Sequence, residues 1–300
     1  MKEKNILKWG IFLLVILSTS TYIYTIKEMS NRNYSTSENM IYRGFLCLFI
    51  GIVVSKVKGY KIIPQNKKTQ VIRFFSSGFA SYFYTTSFTF LNASTIALLG
   101  RLDIAFLLIL VALFSNQNEN KKSSLQFYLS IWTIIIVSFV IFSGNFYNEK
   151  PLGYFYAFTS IILIALGYVF MKNSAGKENI IVLSNVFSLS NLIFGLLLLF
   201  INREKLNFDL NDSWIFVLYA ISQFGIYLLS IQLYKLYNVE RARLPYVAAT
   251  FVIYFLEIVL GKREFDLTQF IFLVIITGMI ITIIINPKII ETKNNFLDKT

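Results

Sequence analysis

The chain has 300 residues, of which 56% are hydrophobic and only 15% charged, and its formal net charge is +12. One cysteine and no histidine exclude an internal disulfide, a histidine-ligated metal centre and a serine–histidine triad. A soluble domain carries about 25% charged residues, whereas here the apolar residues fall into long runs, so the chain reads as an all-α, polytopic membrane protein.

In chain order, apolar spans are predicted at about 8–26, 38–55, 70–90, 94–114, 126–143, 152–171, 180–201, 213–234, 244–260 and 267–286. At 1.5 Å per residue, a span of this length covers a hydrocarbon core of roughly 30 Å. The first span follows the basic start MKEKNILK and lacks a small-residue cleavage pattern, so it is expected as a retained helix rather than a signal peptide. The connections are short and hydrophilic, as in KVKGYKIIPQNKK (56–68) and SNQNENKKSS (115–124). Only LNAS (91–94) separates the third span from the fourth.

Basic residues set the expected orientation. With the N-terminus inside, the inside segments (1–8, 56–68, 115–124, 172–179, 235–243 and 287–300) carry eighteen Lys and Arg. The outside segments carry seven: Lys27, Arg32, Lys150, Arg203, Lys205, Lys262 and Arg263. Both termini are therefore expected in the cytoplasm, in the cytoplasmic (inner) membrane, and the asymmetry favours an even number of crossings.

The chain also repeats itself at an offset of about 146. FLNAS (90–94) lies opposite LYNVE (236–240), with Asn92 matching Asn238. SENM (37–40) lies opposite LSNV (183–186), with Asn39 matching Asn185, and Lys27 ends span one as Lys172 ends span six. Two halves follow, 1–145 and 146–300, the second ending in a short cytoplasmic tail. An odd number of spans in each half turns the second upside down relative to the first, and inverted repeats are a construction of secondary transporters.

Three stretches carry a resemblance. Arg43 stands early in span two within NMIYRGFLCLF, SFTFLNASTIALLGRLDIAFLLIL forms the junction of spans three and four, and LYNVERARLPYVAATFVIYFLEIVLGKREF reads as its second copy with Pro245. In these stretches, over about residues 8–286, the chain resembles the drug/metabolite transporter superfamily, in particular its EamA-type members. The resemblance implies ten transmembrane helices in two inverted five-helix repeats. It also implies a central cavity built from spans three, four, eight and nine, with export the commoner activity.

Charged residues inside apolar spans are costly and mark function or pairing. Arg101 and Asp103 interrupt span four, and two residues apart on a helix they point about 200° away from each other. Arg43 is expected at a similar depth. An Arg43–Asp103 contact would neutralise both and leave Arg101 to meet a carboxylate or other anion; the alternative is a structural network of all three. Glu257 is read near the outer end of span nine, as a snorkelling side chain or a proton-coupling group. Arg73, Lys172, Arg241 and Arg243 are explained by the excess of basic residues at inside ends.

Further candidates are polar or aromatic. Ser77, Ser81, Thr85 and Thr89 recur at four-residue steps along one stripe of span three, either a packing seam or a cavity wall. Tyr82, Tyr84 and Phe88 flank it. Gln223 and Tyr227 in span eight, with Tyr246, Thr250 and Tyr254 in span nine, complete the expected substrate contacts.

The expected function is secondary transport, in the resembled family most often export, of a small organic metabolite such as an amino acid or related compound by alternating access. No G-x-x-x-x-G-K-[ST] pattern occurs, so a proton or substrate gradient is the expected drive. The partners are the small-molecule substrate and the lipid bilayer, with no nucleic acid, no cofactor and no metal. An enzyme is not expected, since the chain has no histidine and only Asp103 as a deep aspartate. The alternative is a non-transporting membrane receptor or scaffold.

Overall fold

The computed structural model describes residues 2–62, 64, 66–114, 128, 130–135, 137, 149–172, 179–236 and 241–285, and among them helices and connections but no strands. The helices are α1 (Lys2–Asn31), α2 (Thr36–Val57), α3 (Lys67–Ser87), α4 (Ala93–Leu99), α5 (Leu102–Phe114), α6 (Pro151–Lys172), α7 (Ile180–Asn202), α8 (Ser213–Leu236), α9 (Leu244–Val259) and α10 (Leu267–Ile285). Residues 128, 130–135 and 137 are helical as well. The remainder of the expected fifth span, the division at 145–146 and the Asn238 match lie outside the described residues.

Local chemistry explains several boundaries. Ser35 and Glu38 form a capping box that starts α2: the Ser35 side chain accepts the Glu38 N–H at 3.2 Å, and the Ser35 N–H donates to Glu38 Oε2 at 2.9 Å. Pro245 occupies the first turn of α9, where its missing N–H costs nothing.

Four helical stretches are long and apolar enough to cross a membrane: Lys8–Asn31, Thr36–Val57, Ile180–Asn202 and Leu210–Ser230. Large apolar side chains such as Leu17, Phe49, Phe155, Leu197 and Ile221 are exposed on helix exteriors, a surface suited to lipid rather than water. This is a membrane protein. Pro151–Gly167, Leu244–Val259 and Leu267–Thr282 are apolar but shorter.

The expected continuous span at 94–114 is instead two helices. The chain breaks at Gly100 and Arg101, where i to i+3 hydrogen bonds replace the regular ladder: Arg101 N–H to Leu98 O at 3.1 Å and Asp103 N–H to Gly100 O at 3.4 Å. A glycine followed by an arginine that turns back onto Ala97 O at 3.1 Å weakens the helix at that point.

Contacts between helix ends, such as Lys27 with Phe88 and Leu91, Glu257 with Ala93, Glu149 with Asn92, Ser37 with Glu204 and Arg32 with Asp212, fix the directions of the helices, α4 and α5 running the same way. The ends of α1, α3, α7 and α9 therefore share one face, here called distal, with the starts of α2, α4, α6, α8 and α10. The N-terminus lies on the opposite, proximal face. Within the bundle α2 packs on α7, α3 on α6 and α7, α1 on α8 and α9, α2 on α8, α5 on α6, and α4 on α9. The α2–α7 crossing depends on glycine. A Cβ on Gly44 would fall 2.5 Å from Leu192 N and 2.8 Å from Ser188 O, and one on Gly195 would fall 2.9 Å from Ser37 O. Small residues of this kind let two backbones touch.

Candidate functional site: a central cavity with a tied distal end

A cavity of about 250 Å³ lies between α1, α3, the α4–α5 break, α6, α7, α8 and the start of α9. Its described lining runs from Tyr22 and Tyr84 to Arg73, Gly167, Ile180 and Arg243, the last four being near the proximal ends of their helices. Of the residues expected at a substrate site, Ser81, Arg101, Asp103, Gln223, Tyr227 and Tyr246 line it. Arg43, Tyr82, Thr85 and Thr250 are not among its lining residues.

The break after Gly100 serves this cavity by bringing Gly100, Arg101 and Asp103 to its wall. The Arg101 guanidinium lies 5.7 Å from the centre of the Tyr246 ring, and that of Arg243 stands at the same distance. Such cation–π contacts hold a guanidinium without neutralising it.

Asp103 corrects an expectation. Its partner is Arg243, at 3.3 Å between Nη1 and Oδ2, both side chains buried. The expected Arg43–Asp103 pair does not form, because Arg43 is committed elsewhere. Arg43 is 1% exposed; it donates to Ser81 Oγ, to Thr85 Oγ1 at 2.6 Å and to the Tyr219 hydroxyl at 3.5 Å, with its guanidinium 5.8 Å from the Tyr219 ring centre. Helix α2 packs on α3, α7 and α8, whereas α5 packs on α6, so the two residues belong to different sides of the bundle.

The hydroxyl stripe of α3 divides between the two expected roles. Ser77 and Ser81 line the cavity, Ser81 and Thr85 hold Arg43, and Thr89 is exposed beyond the helix end. Phe88 is fully buried in the apolar core. Thr250 is buried and bonds back to Tyr246 O at 3.4 Å, and the Tyr82 ring sits beside Phe83 at 5.2 Å.

Two cavity arginines were read from sequence only as basic residues at inside ends. Arg73 is buried, lines the cavity and donates to Gln70 Oε1 at 3.3 Å. It continues the stripe of Ser77 and Ser81 one turn earlier, which is a signal the sequence did contain. Arg243 is buried on the cavity wall, and its place two residues before Pro245 gives no such clue.

Some polar atoms at the cavity have no protein partner. Both side-chain polar atoms of Gln223, Oδ1 of Asp103 and Oγ1 of Thr19 are buried without a hydrogen bond, and all three residues line the cavity. A buried polar group in this state costs about 1–3 kcal/mol.

The distal end is tied. Glu257 is buried, not snorkelling: its carboxylate accepts the Ala93 N–H at 2.8 Å, the Ser94 N–H at 3.2 Å and the Ser94 hydroxyl, and Arg263 stands 3.9 Å away. Asn92 itself makes no side-chain cap, so Glu257 of α9 caps α4 from outside. Glu149 adds to this by accepting the Asn92 N–H at 2.9 Å and the Thr95 hydroxyl at 2.7 Å. Lys27 Nζ donates to Phe88 O and Leu91 O, each at 2.9 Å. Arg32 pairs with Glu28 at 3.1 Å and with Asp212, which also accepts the Tyr34 hydroxyl at 2.8 Å.

No protein-family model matches the chain, and no curated protein matches it. A solved structure described only as "Crystal structure of protein" aligns over 94% of this chain and 95% of its own, with a TM-score of 0.58 and 14% sequence identity. That likeness is one of fold.

Proposed function

We propose that this chain is a secondary transporter of a small organic metabolite, such as an amino acid or related compound, in the cytoplasmic membrane. It works by alternating access, with export the direction that the resemblance to the EamA-type drug/metabolite transporters suggests. The observation that carries this reading is the cavity: a mostly apolar wall interrupted by three arginines, Asp103 and the Gln223 amide inside an apolar bundle, extending toward the proximal face, and backed by a distal end tied with ion pairs and caps. The basic loops favour the cytoplasm for the proximal face, so this is an inward-facing arrangement.

The packing supports ten crossings in two inverted halves. Exchanging α1 with α6, α2 with α7, α3 with α8 and α4–α5 with α9 turns the α3–α6 contact into α8–α1, α3–α7 into α8–α2, and α1–α9 into α6–α5. The α2–α7 and α4–α9 contacts map onto themselves. Of the helices that line the cavity, α1 and α6, α3 and α8, and α4–α5 and α9 exchange with one another, whereas α7 lines it without its counterpart α2, an arrangement close to that of a site at a repeat interface.

Two measurements test the reading. In the first, the purified chain in proteoliposomes is assayed for counterflow over a broad metabolite panel; absence of flux together with absence of any ligand-dependent thermal shift favours a scaffold or receptor. In the second, Cys47→Ser removes the native thiol, and single cysteines are placed at Gly59 and Lys205, equivalent positions in the two halves. Opposite-side labelling by an impermeant reagent is expected, and same-side labelling overturns the inverted repeat.

A further inference from the structure

We infer that the deep end of the cavity is a subsite for an uncharged amide group, the donor-beside-acceptor edge of a carboxamide, lactam or nucleobase, carried on an apolar or aromatic body. This rests on the transport reading and deepens it by naming what the site recognises. The recognising group is the side-chain amide of Gln223 on α8. Gln223 is 2% exposed and lines the cavity, and neither its Oε1 nor its Nε2 has a hydrogen-bond partner. Thr19 of α1 is 3% exposed, lines the same wall and keeps its Oγ1 in the same state. The two belong to one place. Helices α1 and α8 pack antiparallel, with the Tyr22 and Tyr219 ring centres 5.1 Å apart and a Cβ on Gly225 falling 3.1 Å from Ser18 Oγ. Thr19 and Gln223 lie between those two contacts.

A primary amide presents N–H and C=O side by side in one plane. A ligand satisfies both only if its own edge offers an acceptor beside a donor, and a second amide is the uncharged group that does so. A carboxylate accepts without donating and an ammonium donates without accepting, so each leaves one polar atom of Gln223 buried without a partner. The Thr19 hydroxyl, able to donate or accept, serves a further atom of the same group. Tyr22, Ile23, Tyr84 and Ile226 supply aromatic and apolar wall around it, which suits an uncharged ligand. The charged side chains of the cavity are engaged by protein groups: Arg243 with Asp103, Arg101 with Ala97 O and the Tyr246 ring, Arg73 with Gln70. Other amides with unpartnered atoms, such as Asn185, Asn191 and Gln269, are not among the cavity's lining residues, and that sets Gln223 apart.

The test uses the full chain, by thermal shift in detergent and by counterflow in proteoliposomes, with three matched pairs: nicotinamide against nicotinate, caprolactam against N-methylcaprolactam, and uracil against its dimethyl derivative. Each parent amide is expected to act at a concentration about tenfold lower than its counterpart, and the pairs tell which kind of amide is preferred. Gln223→Met, of similar length, should erase that preference while Tm stays level or rises, because the group it replaces has no partner in the fold. Counterparts that act as well as the amides, or no response to any amide while another solute is carried, overturn this inference and leave the transport reading standing. A Gln223→Met chain that fails to fold, or that folds and keeps the preference, does the same. An amide-dependent thermal shift without flux of any solute upholds the subsite and overturns the transport reading; neither shift nor flux overturns both.

Discussion

The distal end and the central cavity use the same kinds of side chain to opposite effect. At the distal end carboxylates are saturated: Glu28 meets Arg32 and Lys262, Asp212 meets Arg32 and Tyr34, Glu38 takes the Ser35 and Asn207 N–H groups, and Glu149 and Glu257 cap α4. In the cavity Gln223, Thr19 and Asp103 keep buried polar atoms without partners, and Arg43 carries a charge that only neutral groups hold. The contrast lies in the charged groups, since buried amides such as Asn39, Asn185 and Gln269 also keep atoms without partners away from the cavity. On the proposed function, the saturated carboxylates hold the distal end shut and the cavity's unpartnered atoms are what a ligand would meet.

Glu257→Ala tests the first half of that contrast and should have the largest effect. It leaves the Ala93 and Ser94 N–H groups buried without an acceptor and removes the carboxylate beside Arg263, which keeps its bond to the Ser94 hydroxyl. The expected loss is about 2–3 kcal/mol, seen as a Tm lower by about 5 °C or more in detergent. Glu257→Gln, which keeps an acceptor, should lose less. Equal stability of all three proteins would mean that the cap does not hold the distal end.

Arg101→Gln tests the other half. Arg101 is only half-buried and is held by one carbonyl and one ring, so its loss should leave Tm within about 2 °C while counterflow falls about tenfold. A fall in Tm like that of Glu257→Ala would move Arg101 from the site to the scaffold.

Arg43→Met sharpens the boundary between the two regions. Replacing a buried charge that lacks an ionic partner with an apolar side chain of similar length should change stability by under about 1 kcal/mol, because the desolvation cost disappears together with the hydrogen bonds. Transport should still fall severalfold, since Arg43 contributes to the field at Ser81 on the cavity wall. A large destabilisation with unchanged transport in the remaining folded protein would make Arg43 a packing residue.

The sequence disclosed the helical membrane character because long apolar runs have few other uses. It also disclosed half of the site, since Arg101, Asp103 and Gln223 are expensive inside such runs. What it hid has physical causes. Arg243 and Arg73 sit where basic residues already have an explanation, so composition could not separate a charge facing the aqueous loops from one turned inward. The Arg43–Asp103 pairing was inferred from depth alone, and depth says nothing about which side of the bundle a helix faces. The break at Gly100 is invisible to hydropathy because both pieces are apolar. Glu257 looked terminal along its own helix; only the packing of α9 on α4 makes it a cap.

The smallest effect expected concerns Glu204, in the distal connection after α7. Partial burial pushes its carboxyl upward, but hydrogen bonds from Ser37, Ser35 and Asn202 outweigh that and hold it below its ordinary value of 4.5. A carboxyl depressed on folding stabilises the folded state above its unfolded value, and that contribution disappears as pH falls through the folded value. Glu204→Gln should therefore lower Tm by about 1 °C at neutral pH, a small figure because solvent screens the group. The difference from the unmodified protein should close as pH is taken below 4.5. A gap that widens on acidification would mean that the three hydrogen bonds favour the protonated group, and that the α2–α7 end of the distal seal is tightened by protons rather than loosened.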